Sequence, residues 1–133
     1  MLDLILQVKG IYHEETGIKN LCNNFFPKPG KHKYHWFVKF YSPYDGGSRH
    51  VKYNFWDKVS KRDIVTTNKD KLKFGAVDCL SGTANRQLCR AHGVKKFPTL
   101  MAFAPDKGTE TATFEGEYNW AQLDAWIKSV IDG

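Results

Sequence analysis

Three cysteines, a scatter of histidines and one lysine inside an apolar run are the residues of this 133-residue chain with chemistry to offer. Cys22, Cys79 and Cys89 form no Cys-x-x-Cys pair, and none stands with a histidine at zinc-ligand spacing, so neither a metal nor any cofactor is implied. Cys79 and Cys89 bound a short loop and Cys22 is left over, which makes one disulfide plus one free thiol the simplest arrangement. His32, His35, His50 and His92 have no carboxylate or cysteine partner at motif spacing and read as solvated or packing residues. Lys39 interrupts His35 to Tyr41, HWFVKFY, an otherwise apolar and β-prone run of the kind a strand covered on both faces requires. If buried, that lysine must pair or lose its charge, with Asp45 the natural partner; the alternative is that strand twist lets it snorkel to solvent.

The elements that would position these groups follow from periodicity. Met1 to Val8 reads as a first strand, since Asp3 and the lack of a basic leader or a small-residue cleavage site do not suit a signal peptide. A helix is expected near Thr16 to Phe26, and PKPGKHK, Pro27 to Lys33, reads as a basic surface loop. After the His35–Tyr41 strand, Asp45 caps a helix reaching toward Ile64, with Val51, Phe55 and Val59 on its apolar face. Leu72 to Cys79 reads as a strand and Ala84 to His92 as a helix stopped by Gly93. Phe97 to Phe103 is a strand with Pro98 at its mouth, where a missing N–H is tolerated or a cis bond occurs. Thr111 to Glu115 pairs with it as a hairpin, and a last helix opens at Asn119 and Gln122 in capping-box spacing, with Trp120, Leu123, Ile127 and Val130 on one face.

Composition narrows the function. With 41% apolar and 26% charged residues the chain is an ordinary globular domain, read as one unit over residues 1–133 or as a piece excised from a longer protein. No apolar run approaches the roughly 20 residues of a membrane span. The net charge of +6 lies before residue 80, where 14 basic residues face 8 acidic ones, against 6 and 6 afterwards. Aromatics in the basic half fall at core spacings and no nucleic-acid motif is present, so the charge reads as a solvated face or a surface for an acidic partner protein.

The order of elements and the wording of FVKFYSPYDGGS (Phe37 to Ser48), VDC (Val77 to Cys79), NRQLCRAHGVKKFPTL (Asn85 to Leu100) and FEGEYNWAQLDAWI (Phe114 to Ile127) resemble the protein disulfide isomerase family and its thioredoxin fold. The resemblance implies an α/β domain with a central mixed β-sheet flanked by helices, and is closest to sulfhydryl-oxidase-like and endoplasmic-reticulum members. Active members carry a Cys-x-x-Cys at a helix N-terminus, where free N–H groups and the dipole stabilise a thiolate. Those four positions are Asp45, Gly46, Gly47 and Ser48 here. Neither an aspartate nor a serine can carry out thiol–disulfide exchange. The family's buried proton-relaying acid aligns with Lys39, and an arginine that tunes the second cysteine aligns with Tyr118. Asp45 is then a helix cap, worth about 0.5–2 kcal/mol, rather than a catalyst.

What the resemblance leaves intact is peptide binding, with Tyr44, Phe97, Pro98 and Thr99 as the shelf on which an extended chain would lie. It also implies that Cys79 and Cys89 close a structural disulfide; two buried thiols or a redox-active pair remain the alternatives. The expected function is a redox-inactive, chaperone-like or scaffolding module that binds unfolded or extended polypeptide in the endoplasmic reticulum lumen or secretory pathway. The rival is a non-catalytic domain of a multidomain isomerase or sulfhydryl oxidase whose catalytic cysteines lie elsewhere.

Overall fold

In the computed structural model, residues 12, 16–22, 26–27, 33–44, 56–105 and 112–132 are described. Their strands are β1 (Ile18–Leu21), β2 (His35–Tyr41), β3 (Leu72–Asp78), β4 (Thr99–Phe103) and β5 (Ala112–Thr113). The helices are α1 (Asp63–Thr67), α2 (Thr83–Ala91) and α3 (Trp120–Asp132), with a 3-10 segment over Trp56–Lys61. One mixed sheet runs in the order β1-β3-β2-β4-β5. β3 is parallel to both β1 and β2, whereas β4 is antiparallel to β2 and β5 to β4.

β2 is central, and its alternation sorts the core. Phe37 and Tyr41 face a cluster with Trp56, Phe74, Leu100 and Leu123, while Val38 and Phe40 face a second cluster with Val77, Met101 and Phe103. α3 closes the first face by burying Leu123 and Ile127, and Trp126 meets the Phe37 ring edge-on at 5.3 Å. Asn119 Oδ1 accepts the Gln122 N–H at 2.9 Å, as the capping-box spacing suggests; Gln122 Oε1, however, accepts from Glu117 N–H rather than from the cap residue. α2 ends as expected at Gly93, whose φ of 74° permits the Gly93 N–H to Arg90 and Val94 N–H to Cys89 bonds of a Schellman motif.

Three expectations need correction. The segment expected as a helix near Thr16 to Phe26 contains β1 instead. Gly17 takes a left-handed φ of 73°, which breaks a helix, and Ile18–Leu21 then find their main-chain partners in a parallel ladder with β3. That approach is close, since a Cβ on Gly75 would collide with the Leu21 side chain, so a glycine is needed there. The helix expected from Asp45 to Ile64 is not continuous where it is described. Arg62 adopts extended backbone at φ −70°, ψ 146°, separating the 3-10 segment from α1, so Val59 and Ile64 do not share one helix. Of the last two strands, β4 begins at Thr99 rather than Phe97 and β5 ends at Thr113 rather than Glu115. The Met1–Val8 strand and residues 45–55 lie outside the described residues.

Candidate functional site

The register brings one end of the sheet together. Phe40 pairs with Thr99 and Tyr41 with Asp78, so the Phe97–Pro98 dipeptide, the end of β2 and the end of β3 meet there. The Phe97–Pro98 peptide bond is cis. Two hydrogen bonds fix this loop: Thr99 Oγ1 donates to the Lys96 carbonyl at 2.7 Å, and Tyr118 Oη donates to the Pro98 carbonyl at 3.1 Å. Tyr118 thus supports the loop from the segment preceding α3, and its burial raises the phenol pKa. The main-chain N–H and carbonyl of Phe97 take no partner among the described residues. A strand mouth with an unused donor and acceptor can extend its ladder onto an added chain.

Apolar surface flanks those groups. Tyr44, just past β2, is 84% exposed, and Leu80, just past β3, is 37% exposed; they are the exposed large hydrophobic side chains among the described residues. Leu80 was not anticipated from sequence, although an apolar residue in a Cys-Leu-Ser-Gly turn is the kind of signal that could have found it. Its backbone is held by a 2.9 Å bond from Leu80 N–H to Asp78 Oδ1. Burial raises the Asp78 pKa, partly offset by that hydrogen bond. Asp45, Gly46, Gly47 and Ser48 lie outside the described residues.

Beneath this end sit the buried groups. Lys39 is fully buried, which overturns the snorkelling alternative. Its ammonium donates to Tyr12 Oη at 2.7 Å and lies 5.3 Å and 5.2 Å from the Tyr12 and Tyr41 ring centroids, a geometry of charge-assisted hydrogen bonding and cation–π attraction. Burial, reinforced by Tyr41 and Asp57, pushes the Tyr12 phenol far above its ordinary pKa, so it stays un-ionised. On the opposite face of the sheet, Cys79 and Cys89 are joined by a disulfide and are 2% and 4% exposed, and Phe97 packs against the cluster that contains them. Cys22 is a half-buried free thiol. The described residues hold no group of histidine, cysteine and carboxylate side chains suited to a metal.

The family model for thioredoxin matches residues 19–129. The chain belongs to the thioredoxin family. Among curated proteins it is 30% identical over 81 residues to protein disulfide-isomerase A6 of Mus musculus, covering 61% of this chain and 17% of that protein. Among solved structures it superposes on the J-Trx1 fragment of ERdj5 with a TM-score of 0.66 and 24% identity, covering 89% of this chain and 51% of the fragment. It also superposes on Chlamydomonas reinhardtii thioredoxin f2 with a TM-score of 0.64 and 22% identity, over 86% and 96% of the two chains. The sheet is therefore that of the thioredoxin fold, as the sequence motifs imply. The chain spans only 17–22% of the length of the curated relatives it matches.

Proposed function

We propose that this thioredoxin domain binds extended polypeptide at the cis-proline end of its sheet and performs no dithiol exchange there, acting as a chaperone-like or scaffolding module of the secretory pathway. The observation that carries this reading is the Phe97 main chain, whose donor and acceptor are unused by the described residues and which lies at a strand end flanked by exposed Tyr44 and Leu80. An incoming strand would take main-chain hydrogen bonds from Phe97 and apolar contacts from the two side chains. Asp45 and Ser48 stand where dithiol members have cysteines, and neither can supply a thiolate. The secretory location draws support from the Cys79–Cys89 disulfide, a bond that persists in oxidising compartments, and from relatives named as protein disulfide-isomerases.

The length comparison favours a second reading, in which this is one non-catalytic domain of a larger isomerase or oxidase. A redox-active Cys79–Cys89 pair is the weaker alternative, because an attacking thiolate must reach a sulfur and both residues are nearly inaccessible. The test combines insulin reduction with anisotropy of a fluorescein-labelled, unstructured apolar peptide. The expected result is no turnover together with saturable binding that Tyr44→Ala and Leu80→Ser weaken several-fold. Turnover lost in Cys79→Ser would make the domain an enzyme, and binding indifferent to both surface variants would place the peptide elsewhere.

A further inference from the structure

The other end of the same sheet carries a surface that the peptide-binding reading does not use. β2 and β3 are parallel, so their N-terminal ends lie together, with His35 paired to Leu72 and His35 N–H bonded to the Lys71 carbonyl at 2.8 Å. Lys33, Lys69 and Lys71 are exposed around this junction and Lys73 is half-buried beside it. None of the four makes an ion pair with a described carboxylate; the acid that interrupts the run, Asp70, is likewise unpaired with a described lysine. The ion pairs among the described residues, Arg62–Asp124 and Lys128–Asp132, both involve α3 instead. The field of the cluster is felt locally, because Lys71 adds to burial in holding the His35 pKa down.

We propose that this lysine-rich end of the sheet docks an acidic polypeptide segment, a stretch of chain rich in Asp and Glu. Charge complementarity sets the sign of the partner, and the composition of the patch selects among anions. Its cations are all lysines, compact point charges without the planar fork by which arginine grips phosphate in two bonds. Its aromatic residue, Tyr34, is approached by Lys73 Nζ at 4.8 Å and Lys33 Nζ at 6.0 Å from the ring centroid. The ring therefore interacts with lysines rather than standing clear as a stacking platform for a nucleobase. Carboxylates along an extended chain need only separated point charges, which Lys33, Lys69, Lys71 and Lys73 supply. The strands are seven residues long, so the patch is roughly 20 Å from the cis-proline loop at about 3.3 Å per residue, and both ends can be occupied at once.

The experiment titrates the full chain into a fluorescein-labelled decapeptide of alternating Glu and Ser at about 50 mM salt. The Gln–Ser peptide and a ten-nucleotide oligothymidylate serve as comparison probes. The expected result is saturable binding of the Glu peptide that weakens as salt rises, no binding of the Gln peptide, and weaker binding of the oligonucleotide. Lys69→Gln with Lys71→Gln should lower affinity at least tenfold, whereas Lys61→Gln with Lys128→Gln, which removes the same charge elsewhere, should change it less than twofold. Absence of saturable binding, equal loss in the two double variants, or an oligonucleotide that binds as tightly as the Glu peptide would each overturn the proposal. Thermal melts of both variants establish that each is folded, and competition with the apolar peptide separates this surface from the cis-proline end.

Discussion

Removing the Cys79–Cys89 crosslink should destabilise the domain by an amount that follows from the loop it closes. The two residues are 10 apart in sequence, and the loop-entropy relation for a ring of that size gives about 2.7 kcal/mol at 25 °C. With an unfolding entropy near 2.1 cal/mol/K per residue over 133 residues, that loss lowers Tm by about 10 °C. Its local consequence falls on α2, which buries only Asn85 and Cys89 and is otherwise tied to β3 by the 3.0 Å bond from Asn85 Nδ2 to the Asp78 carbonyl. Without the crosslink, amide exchange should accelerate in α2 before it does in β2 or β4. The assay is urea unfolding of the oxidised protein and of Cys79→Ala/Cys89→Ala, with exchange read by mass spectrometry and thiols counted under denaturation. One thiol is expected in the oxidised protein. A loss below about 1 kcal/mol, or exchange in α2 unchanged by the substitution, would refute the view that this bond staples α2 to the sheet.

Other perturbations have equally definite signs. Burial raises the Asp78 pKa, so its contribution to stability is fully present below the unfolded-state value and is lost as pH rises through the folded one. Asp78→Asn, which keeps the Oδ1 acceptor for Leu80 N–H, should therefore match or exceed the parent's stability at pH 7, with the difference closing below pH 4. Urea midpoints of both proteins at the two pH values decide it, and a variant less stable than the parent at pH 7 would contradict the sign. His35 shifts downward through burial and Lys71, so the stability it contributes is present above about pH 6.5 and is lost as pH falls from there through the folded pKa. An NMR titration midpoint for His35 above 6.5 would show the opposite linkage. Tyr118→Phe deletes the hydrogen bond to the Pro98 carbonyl and should cost about 0.5–1.5 kcal/mol, with weaker binding of the apolar peptide; unchanged affinity would mean the loop is positioned without it.

The parts of this fold that were legible in the sequence are those whose cause is local. HWFVKFY announces a strand because the run, Lys39 apart, suits a sheet buried on both faces, and Gly93 announces a helix end because the left-handed cap is a property of that residue. β1 is not legible locally because four residues carry little periodicity, and what makes Ile18–Leu21 a strand is the ladder offered by β3 together with the space left by Gly75, more than fifty residues away. The break at Arg62 has the same character. Its guanidinium reaches Asp124 at 2.7 Å and stacks 4.5 Å from the Trp120 ring, partners in α3 that no reading of the local helix could supply. At the site, Tyr118 stood out in sequence only as a missing arginine, and its contact with Pro98 is visible only once the segment before α3 is placed against the β4 mouth.

Lys39 joins the sequence reading to the chemistry, and it yields the prediction that bears most directly on the proposed absence of dithiol exchange. Isomerase-family members place an acid at that point to take and return a proton beneath the first cysteine. Here the buried group is an ammonium, which has three donors and no acceptor, and one donor is committed to the Tyr12 hydroxyl at 2.7 Å. The phenol is itself held un-ionised by burial, so it offers no substitute base at neutral pH. Asp45→Cys/Ser48→Cys would restore the dithiol in sequence while leaving this pair in place. A cation beside the first thiol would favour a thiolate and so favour attack, but resolving the mixed disulfide still requires a proton to move off the second thiol. Insulin reduction by the double variant should therefore be poor and should accumulate trapped mixed disulfide, detectable on nonreducing gels. Adding Lys39→Glu tests the cause, because turnover should rise if the variant folds, as its thermal melt would show. Full activity in the double variant alone would show that the sign of the charge buried at position 39 does not limit exchange.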